Sequence, residues 1–133
     1  MRVALIDPSL FTLPYDRMLA LGLRDAGHDV VVTVQEYGST AYGWAMEDTE
    51  SRCVLVGDRS TGDLPGAHIV GPQAATLIQP LVQAMSLDTS LDELARAQYW
   101  IHPAVSEIVE NALLGLHTPD EVEQEPSAEE LAQ

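Results

Sequence analysis

The sequence predicts an α+β fold with a mainly antiparallel sheet packed by helices. Two observations indicate this class. Several short apolar segments follow one another with turn residues between them, which is the pattern of hairpins. Helical spacing then dominates the second half of the chain, without the strict alternation of strand and helix that builds a doubly wound parallel sheet.

Composition narrows the range of partners. The 133 residues carry 21 carboxylates against six arginines, with no lysine, and the formal net charge is −15. A protein that binds nucleic acid or an anionic membrane needs a basic face, so we expect neither partner. No apolar run approaches the roughly 20 residues of a membrane span. The single cysteine, Cys53, cannot form an internal disulfide, so we expect a reducing, cytoplasmic setting.

The first part of the chain contains four predicted elements. Residues 2–6 form an apolar run bounded by a turn, which predicts a buried strand. A helix follows over 14–26, since Pro14 suits the first helical turn. A valine-rich strand is predicted at 29–35. Large side chains at every second position predict another strand at 41–46.

A hairpin and an interrupted helix come next. The apolar segments 53–58 and 64–70 are predicted strands, and the polar residues 59–63 between them have the composition of a hairpin turn. Residues 73–86 follow helical spacing. Pro80 lies inside that helix and removes one backbone donor, so it should kink the helix.

Two helices complete the predicted fold. A short helix over 91–98 begins after a capping residue, Ser90 or Thr89, and carries carboxylates in its first turn. A last helix over about 104–115 has one apolar stripe.

The composition then divides the chain into a domain and a tail. Residues 1–116 are predicted to form a single α+β domain. Residues 117–133 contain six carboxylates and no cation, which predicts a disordered acidic tail. Subtracting these six charges from the total of −15 leaves the domain with a net charge of −9.

The densest cluster of chemically useful side chains surrounds His102. Pro103 fixes the segment that holds His102, and Glu107 lies in the first turn of the predicted last helix. A carboxylate so placed can accept a hydrogen bond from one imidazole nitrogen and fix its tautomer, leaving the other nitrogen outward as an acid or base. The same spacing also fits a turn histidine beside a carboxylate that only complements a helix N-terminus. The other histidines, His28, His68 and His117, are too dispersed to predict a metal site.

Three stretches carry a resemblance to a known family. They are Gly66–Pro72, Leu77–Gln79 and His102–Glu107. Together they resemble the C-terminal dimerisation (interface) domain of the pyridine nucleotide–disulfide oxidoreductases. The stretches 41–49 and 99–116 are most similar to the mycothione reductase group within that family. The resemblance covers about residues 29–116.

The resemblance implies roles for three residues. His102 would exchange protons with a thiol, and Glu107 would hold and polarise it. The histidine acts in trans in this family, so dimerisation builds the site. The backbone at His102 and Pro103 would approach the partner's flavin, through a His-Pro bond that is typically cis. The family uses FAD and NADPH.

The departures from the family pattern limit what this chain can do alone. It has no pair of redox cysteines and no Gly-x-Gly-x-x-Gly fingerprint for either nucleotide. We therefore expect no cofactor on this chain alone. The predicted function is a detached interface domain of a mycothione-reductase-like enzyme, with a second copy or a flavin-domain chain as its partner.

Two alternatives remain open at this point. The chain could be a non-catalytic homodimerisation module that keeps the fold without the chemistry. It could also be a fusion fragment, because residues 3–16 resemble the opening of Rossmann-type glycosyltransferases and residues 1–30 are of uncertain origin. Whether the chain acts as part of an enzyme is therefore undecided from the sequence.

Overall fold

The computed structural model describes residues 12–116. The predicted strand at 2–6 and the predicted tail at 117–133 lie outside the described residues. The elements in chain order are α1 Thr12–Asp25, β1 Val30–Glu36, a 3-10 turn Tyr37–Ser39, α2 Ala41–Ala45, β2 Arg52–Asp58, β3 Asp63–Val70, α3 Ala74–Leu77, α4 Gln79–Leu87, α5 Leu91–Arg96 and α6 Glu107–Leu114.

Three antiparallel strands form the sheet, in the order β1-β2-β3. Val30 pairs with Asp58 at one end of the β1–β2 ladder and Glu36 with Arg52 at the other. The β2–β3 hairpin turns at residues 59–62, and its register shifts between Val56 and Asp58. These strands confirm the predicted α+β class and the predicted hairpin. Valine and isoleucine favour this arrangement because branched side chains pack well on a pleated surface.

Helices cover both faces of the sheet. On one face α1 packs against Val30 and Val56, with Ala20 of the helix buried between them. The other face carries the larger core, to which β2 and β3 contribute alternate residues. The predicted apolar stripe of the last helix, which extends from just before α6 to just after it, is entirely buried in this core: Val105, Ile108, Val109, Ala112, Leu113 and Leu116.

The predicted strand at 41–46 is wrong, because this segment forms the short helix α2. The Thr40 side chain accepts a hydrogen bond from the Gly43 N–H at 3.2 Å, which caps the helix. Gly43 then packs directly on the preceding turn, where an added Cβ would lie 1.9 Å from the Tyr37 carbonyl oxygen. The large side chains at every second position are exposed, with Trp44 at 76%. Their spacing therefore did not reflect a sheet face.

The helix predicted over 73–86 divides into α3 and α4 at Ile78, whereas a kink was expected. Pro80 occupies the first turn of α4. Backbone N–H groups in a first turn have no acceptor within the helix, so the absence of an N–H at Pro80 costs no helical hydrogen bond. The predicted apolar face survives the break. All its members belong to the core or pack against it: Ala74, Leu77, Ile78, Leu81, Val82 and Met85.

The capping prediction for α5 is confirmed. The Ser90 hydroxyl accepts from the Glu93 N–H at 3.3 Å, and the Glu93 carboxylate accepts from the Ser90 N–H at 3.2 Å. This reciprocal pair satisfies two helix N-terminal donors. Helix α6 begins at Glu107, later than the predicted start near 104.

A buried carboxylate joins the α1–β1 connection to the β2–β3 hairpin. Asp58 is 4% exposed, and its Oδ1 accepts from the Ser60 N–H at 3.0 Å. Its Oδ2 lies 2.5 Å from Nδ1 of His28. Burial alone would raise the pKa of Asp58, but the hydrogen bonds from Ser60 and His28 outweigh it and hold the pKa below 3.8.

We expect Gly43→Ala to destabilise the fold by about 1–3 kcal/mol, because the added methyl group meets a backbone oxygen that cannot move aside. Urea unfolding followed by circular dichroism measures the change. Gly22→Ala is the matched control, since nothing lies within 4 Å of its added Cβ in α1. That variant should be neutral or stabilised by up to about 1 kcal/mol. Equal stabilities for the two variants would contradict the account of α2.

We expect Asp58→Asn to lower the free energy of unfolding by about 1–3 kcal/mol at pH 7, because hydrogen bonds to a buried carboxylate are lost. The folded-state pKa is below the unfolded value, so this stabilisation is present above about pH 4 and is lost as the pH falls through the folded pKa. Unfolding curves at pH 7 and at pH 2–3 should show the gap between wild type and variant closing. A gap that is independent of pH would disprove the ionised hydrogen-bonded state.

Candidate functional site

The loop between α5 and α6 presents the predicted histidine. Its first residues are anchored to α5, since the Trp100 indole donates to the Ala95 carbonyl at 3.1 Å and the Gln98 amide donates to the Leu94 carbonyl at 2.9 Å. The His102-Pro103 peptide bond is cis, as the family resemblance implies. Both residues are exposed. The anchored start of the loop and its exposed turn together place the imidazole of His102 at the surface.

Helix α6 holds the second half of the site. Its buried stripe fixes the rotation of the helix, and the Thr33 hydroxyl of β1 donates to the Ala112 carbonyl at 2.8 Å. With the helix so placed, Glu107 and Glu110 point toward the loop. A carboxylate in the first turn is also favourable because it complements the helix dipole.

Two carboxylates bracket the imidazole of His102. Its Nε2 lies 2.5 Å from Oε2 of Glu110, and its Nδ1 lies 3.6 Å from Oε2 of Glu107. The first distance is a short hydrogen bond, whereas the second is within ion-pair range but too long for a hydrogen bond. The side chains of Glu107 and Glu110 are 15% and 21% exposed, and that of His102 is 47% exposed. Oε2 of Glu107 is buried and makes no hydrogen bond within the described residues.

The structure thus brings His102 and Glu107 together and differs in one respect from the prediction. The second imidazole nitrogen was expected to face outward, and it faces Glu110. Sequence reasoning missed this residue. A signal was present, because Glu110 follows Glu107 by three positions and residues at that spacing share one helix face.

Large apolar side chains flank the histidine on the surface. Tyr99 is 87% exposed and Ile101 is 57% exposed. The loop therefore presents two exposed apolar side chains next to the imidazole of His102.

The cysteine and the other histidines among the described residues lie outside this site. Cys53 is fully buried, and burial raises its pKa to about 12, so the thiol is not ionised at neutral pH. His68 is buried on β3, and His28 pairs with Asp58. Among residues 12–116, no three side chains of the metal-ligating types are grouped as a metal site. None of the helices in that range is long and apolar enough to cross a membrane.

Comparison with known proteins places the chain in a family. The model of the pyridine nucleotide-disulphide oxidoreductase dimerisation domain matches residues 21–113. The chain belongs to the pyridine nucleotide-disulphide oxidoreductase family. The match confirms the predicted family and extends it slightly toward the N-terminus from residue 29.

Individual relatives agree with this assignment to the disulphide oxidoreductases. Mycothione reductase from Mycobacterium tuberculosis strain H37Rv is 52% identical over 116 residues, covering 84% of this chain and 25% of the relative. Dihydrolipoyl dehydrogenase from Rhizobium etli is 33% identical over 91 residues, covering 68% of this chain and 19% of the relative. The chain therefore spans about a quarter or less of the length of these curated relatives.

A solved structure supports the same fold. The crystal structure of LpdA from Mycobacterium tuberculosis matches with a TM-score of 0.64 and 24% identity, covering 74% of this chain and 21% of that one. The resemblance of residues 1–30 to glycosyltransferases remains a prediction, and the oxidoreductase match begins within that segment, at residue 21.

We expect Cys53 to resist modification in the folded chain, because the thiol is buried and its raised pKa keeps it protonated. Titration with a chromogenic disulfide reagent at pH 8 should show a slow reaction in buffer and a complete, rapid one in 6 M guanidinium chloride. The chain contains one cysteine, so the denatured sample calibrates the full signal at one thiol per chain. Rapid labelling of the native chain would mean that β2 opens readily.

Proposed function

We propose that this chain is the interface domain of a mycothione-reductase-like disulfide oxidoreductase and supplies His102 and Glu107 in trans to a thiol–disulfide site. One observation carries the proposal. An imidazole that is half exposed stands on a turn fixed by Pro103, with a largely buried carboxylate 3.6 Å behind its Nδ1. This is the arrangement of a base and its orienting acid without a nucleophile of their own.

The proposed chemistry is proton exchange. Nε2 of His102 would take the proton of an attacking thiol, leaving a thiolate and an imidazolium. Glu107 would accept the hydrogen bond from Nδ1–H and stabilise the positive ring. The same proton would return to the departing thiolate when the disulfide of the substrate is cleaved, so the pair ends the exchange as it began.

The redox chemistry would lie on the partner. Cys53 is buried and is the single cysteine in the sequence, so it cannot form an exchangeable disulfide within the chain. The sequence also carries no dinucleotide-binding fingerprint. FAD and NADPH, which supply the two electrons in the parent family, would be held by a flavin-domain chain or by the remainder of a longer protein. The turn at His102 and Pro103 fits an approach to the flavin, because both residues are exposed.

Dimerisation is the second half of the proposed function. The exposed apolar residues of the domain include Tyr99 and Ile101 in the His102 loop. They also include Leu87 at the end of α4, which is 67% exposed. Such residues are stabilised when a partner covers them. A cytoplasmic setting fits a thiol-exchanging partner and a chain whose single cysteine is reduced.

A non-catalytic homodimerisation module is the second candidate. The observation that favours it is the contact of Nε2 with Glu110, because a nitrogen already bonded to a carboxylate is not available to a thiol. The two candidates differ in whether His102 matters to turnover.

A domain exchange tests the proposal. Residues 21–116 of this chain replace the dimerisation domain of M. tuberculosis mycothione reductase, and NADPH oxidation with mycothione as substrate is measured. We expect a flavin-containing dimer that is active. His102→Gln should lower kcat about 10²–10⁴-fold because a general acid–base group is lost, and Glu107→Gln should cause a smaller loss.

A matched variant controls for disturbance of the fold. Glu50→Gln removes an exposed carboxylate in the turn before β2. It should retain the activity of the parent hybrid. A folded, flavin-containing dimer whose turnover is unchanged by His102→Gln would refute the catalytic proposal and favour the non-catalytic module.

A further inference from the structure

We propose that Glu110 is a positioning residue that guards His102 in the free domain, holding the imidazole in the tautomer whose Nε2 cannot accept a proton. This inference rests on the proposed function of His102. In this role Glu110 is inhibitory, because its carboxylate must leave Nε2 before a thiol can transfer its proton to that nitrogen.

The argument begins with the number of protons on the ring. A neutral imidazole carries one N–H, and a carboxylate can only accept. Glu110 therefore selects the ring with its proton on Nε2, and Glu107 selects the ring with its proton on Nδ1. In the neutral ring the two carboxylates compete for one proton, and only the form selected by Glu107 leaves Nε2 with a free lone pair. The imidazolium donates to both carboxylates and has no free lone pair.

The distances from the two imidazole nitrogens of His102 show which carboxylate is hydrogen-bonded to it. Nε2 is 2.5 Å from Glu110, whereas Nδ1 is 3.6 Å from Glu107. The guarded arrangement leaves the Oε2 atom of Glu107 buried without a hydrogen bond, which is unfavourable. Rotation of the ring toward Glu107 would give that oxygen a donor, so the released arrangement has a hydrogen bond that the guarded one lacks.

The two carboxylates differ in how they can move. The side chain of Glu110 is the more exposed of the two and lies three residues further along α6, so it can turn into water without leaving a buried charge. Both carboxylates lie in the first turn of α6, so the helix dipole does not distinguish them, and Glu107 is the more buried of the two. Approach of a partner that covers the loop would therefore displace Glu110 and leave Glu107 in place.

Ring-nitrogen NMR tests the guard in the free chain. The full chain is labelled with ¹⁵N-histidine, and the Nδ1 and Nε2 shifts of His102 are recorded for the neutral ring. In the wild type we expect the protonated-type shift on Nε2. In Glu110→Gln and Glu110→Ala it should move to Nδ1, and in the control Glu50→Gln it should not move. A wild-type ring protonated on Nδ1, or shifts unaffected by both Glu110 variants, would overturn the proposal.

Turnover of the hybrid enzyme gives a second readout. If Glu110 competes with the thiol for Nε2, Glu110→Gln should raise kcat/KM by up to about five-fold, the factor that corresponds to the roughly 1 kcal/mol net contribution of a hydrogen bond. Glu107→Gln should act in the opposite direction. A loss of activity in Glu110→Gln equal to that in Glu107→Gln would overturn the guard and make Glu110 a second orienting carboxylate.

The two readouts separate this inference from the proposed function. The nitrogen shifts depend only on the free chain, so a guarded tautomer in an inactive hybrid would support the role of Glu110 while refuting catalysis by His102. An active hybrid that depends on His102 but shows no tautomer change would refute the guard alone.

Discussion

The packing of α6 against the sheet is the contact on which the candidate site depends. The helix is short, with eight residues, so its own hydrogen bonds stabilise it only marginally and burial of its apolar stripe must hold it. Ile108, Val109 and Leu113 are completely buried under the sheet. Because that stripe fixes the rotation of the helix, it also determines that Glu107 and Glu110 face the loop of His102. A loss of packing in the core would therefore disturb the site without touching it.

The fold was largely predictable from the sequence because its strongest signals are local or periodic. The strands at 30–36 and 52–58, the hairpin and the apolar stripe of α6 follow from β-branched runs, turn composition and helical spacing. The error at 41–46 arose where a short segment has exposed large side chains at every second position. There the capping by Thr40 and the close packing of Gly43 decide the conformation, and neither contributes to a hydrophobic period.

The site was predictable only in part, for a different physical reason. Spacing along the chain indicates that Glu107 is near His102, and the family resemblance adds a cis turn, which the structure contains. Spacing alone does not indicate which of the two carboxylates on one face of α6 forms the shorter contact with the imidazole of His102. That depends on the path of the loop relative to α6. The outcome is a distance of 2.5 Å to Glu110 and 3.6 Å to Glu107. A difference of about one ångström between competing contacts is below the resolution of sequence patterns.

The residues that form the core are distinct from the exposed residues of the His102 loop. The core consists mainly of residues from α3 to α6, β2 and β3, and Pro103 and the exposed residues of the His102 loop contribute nothing to it. The loop is attached through Trp100, so its position is set by the core while its tip is left open. An exposed imidazole with no partner would be free to bind any carboxylate or metal in solution. A second carboxylate on α6, that of Glu110, contacts Nε2 from within the domain, and the proposed coupling between His102 and a covering partner depends on this contact.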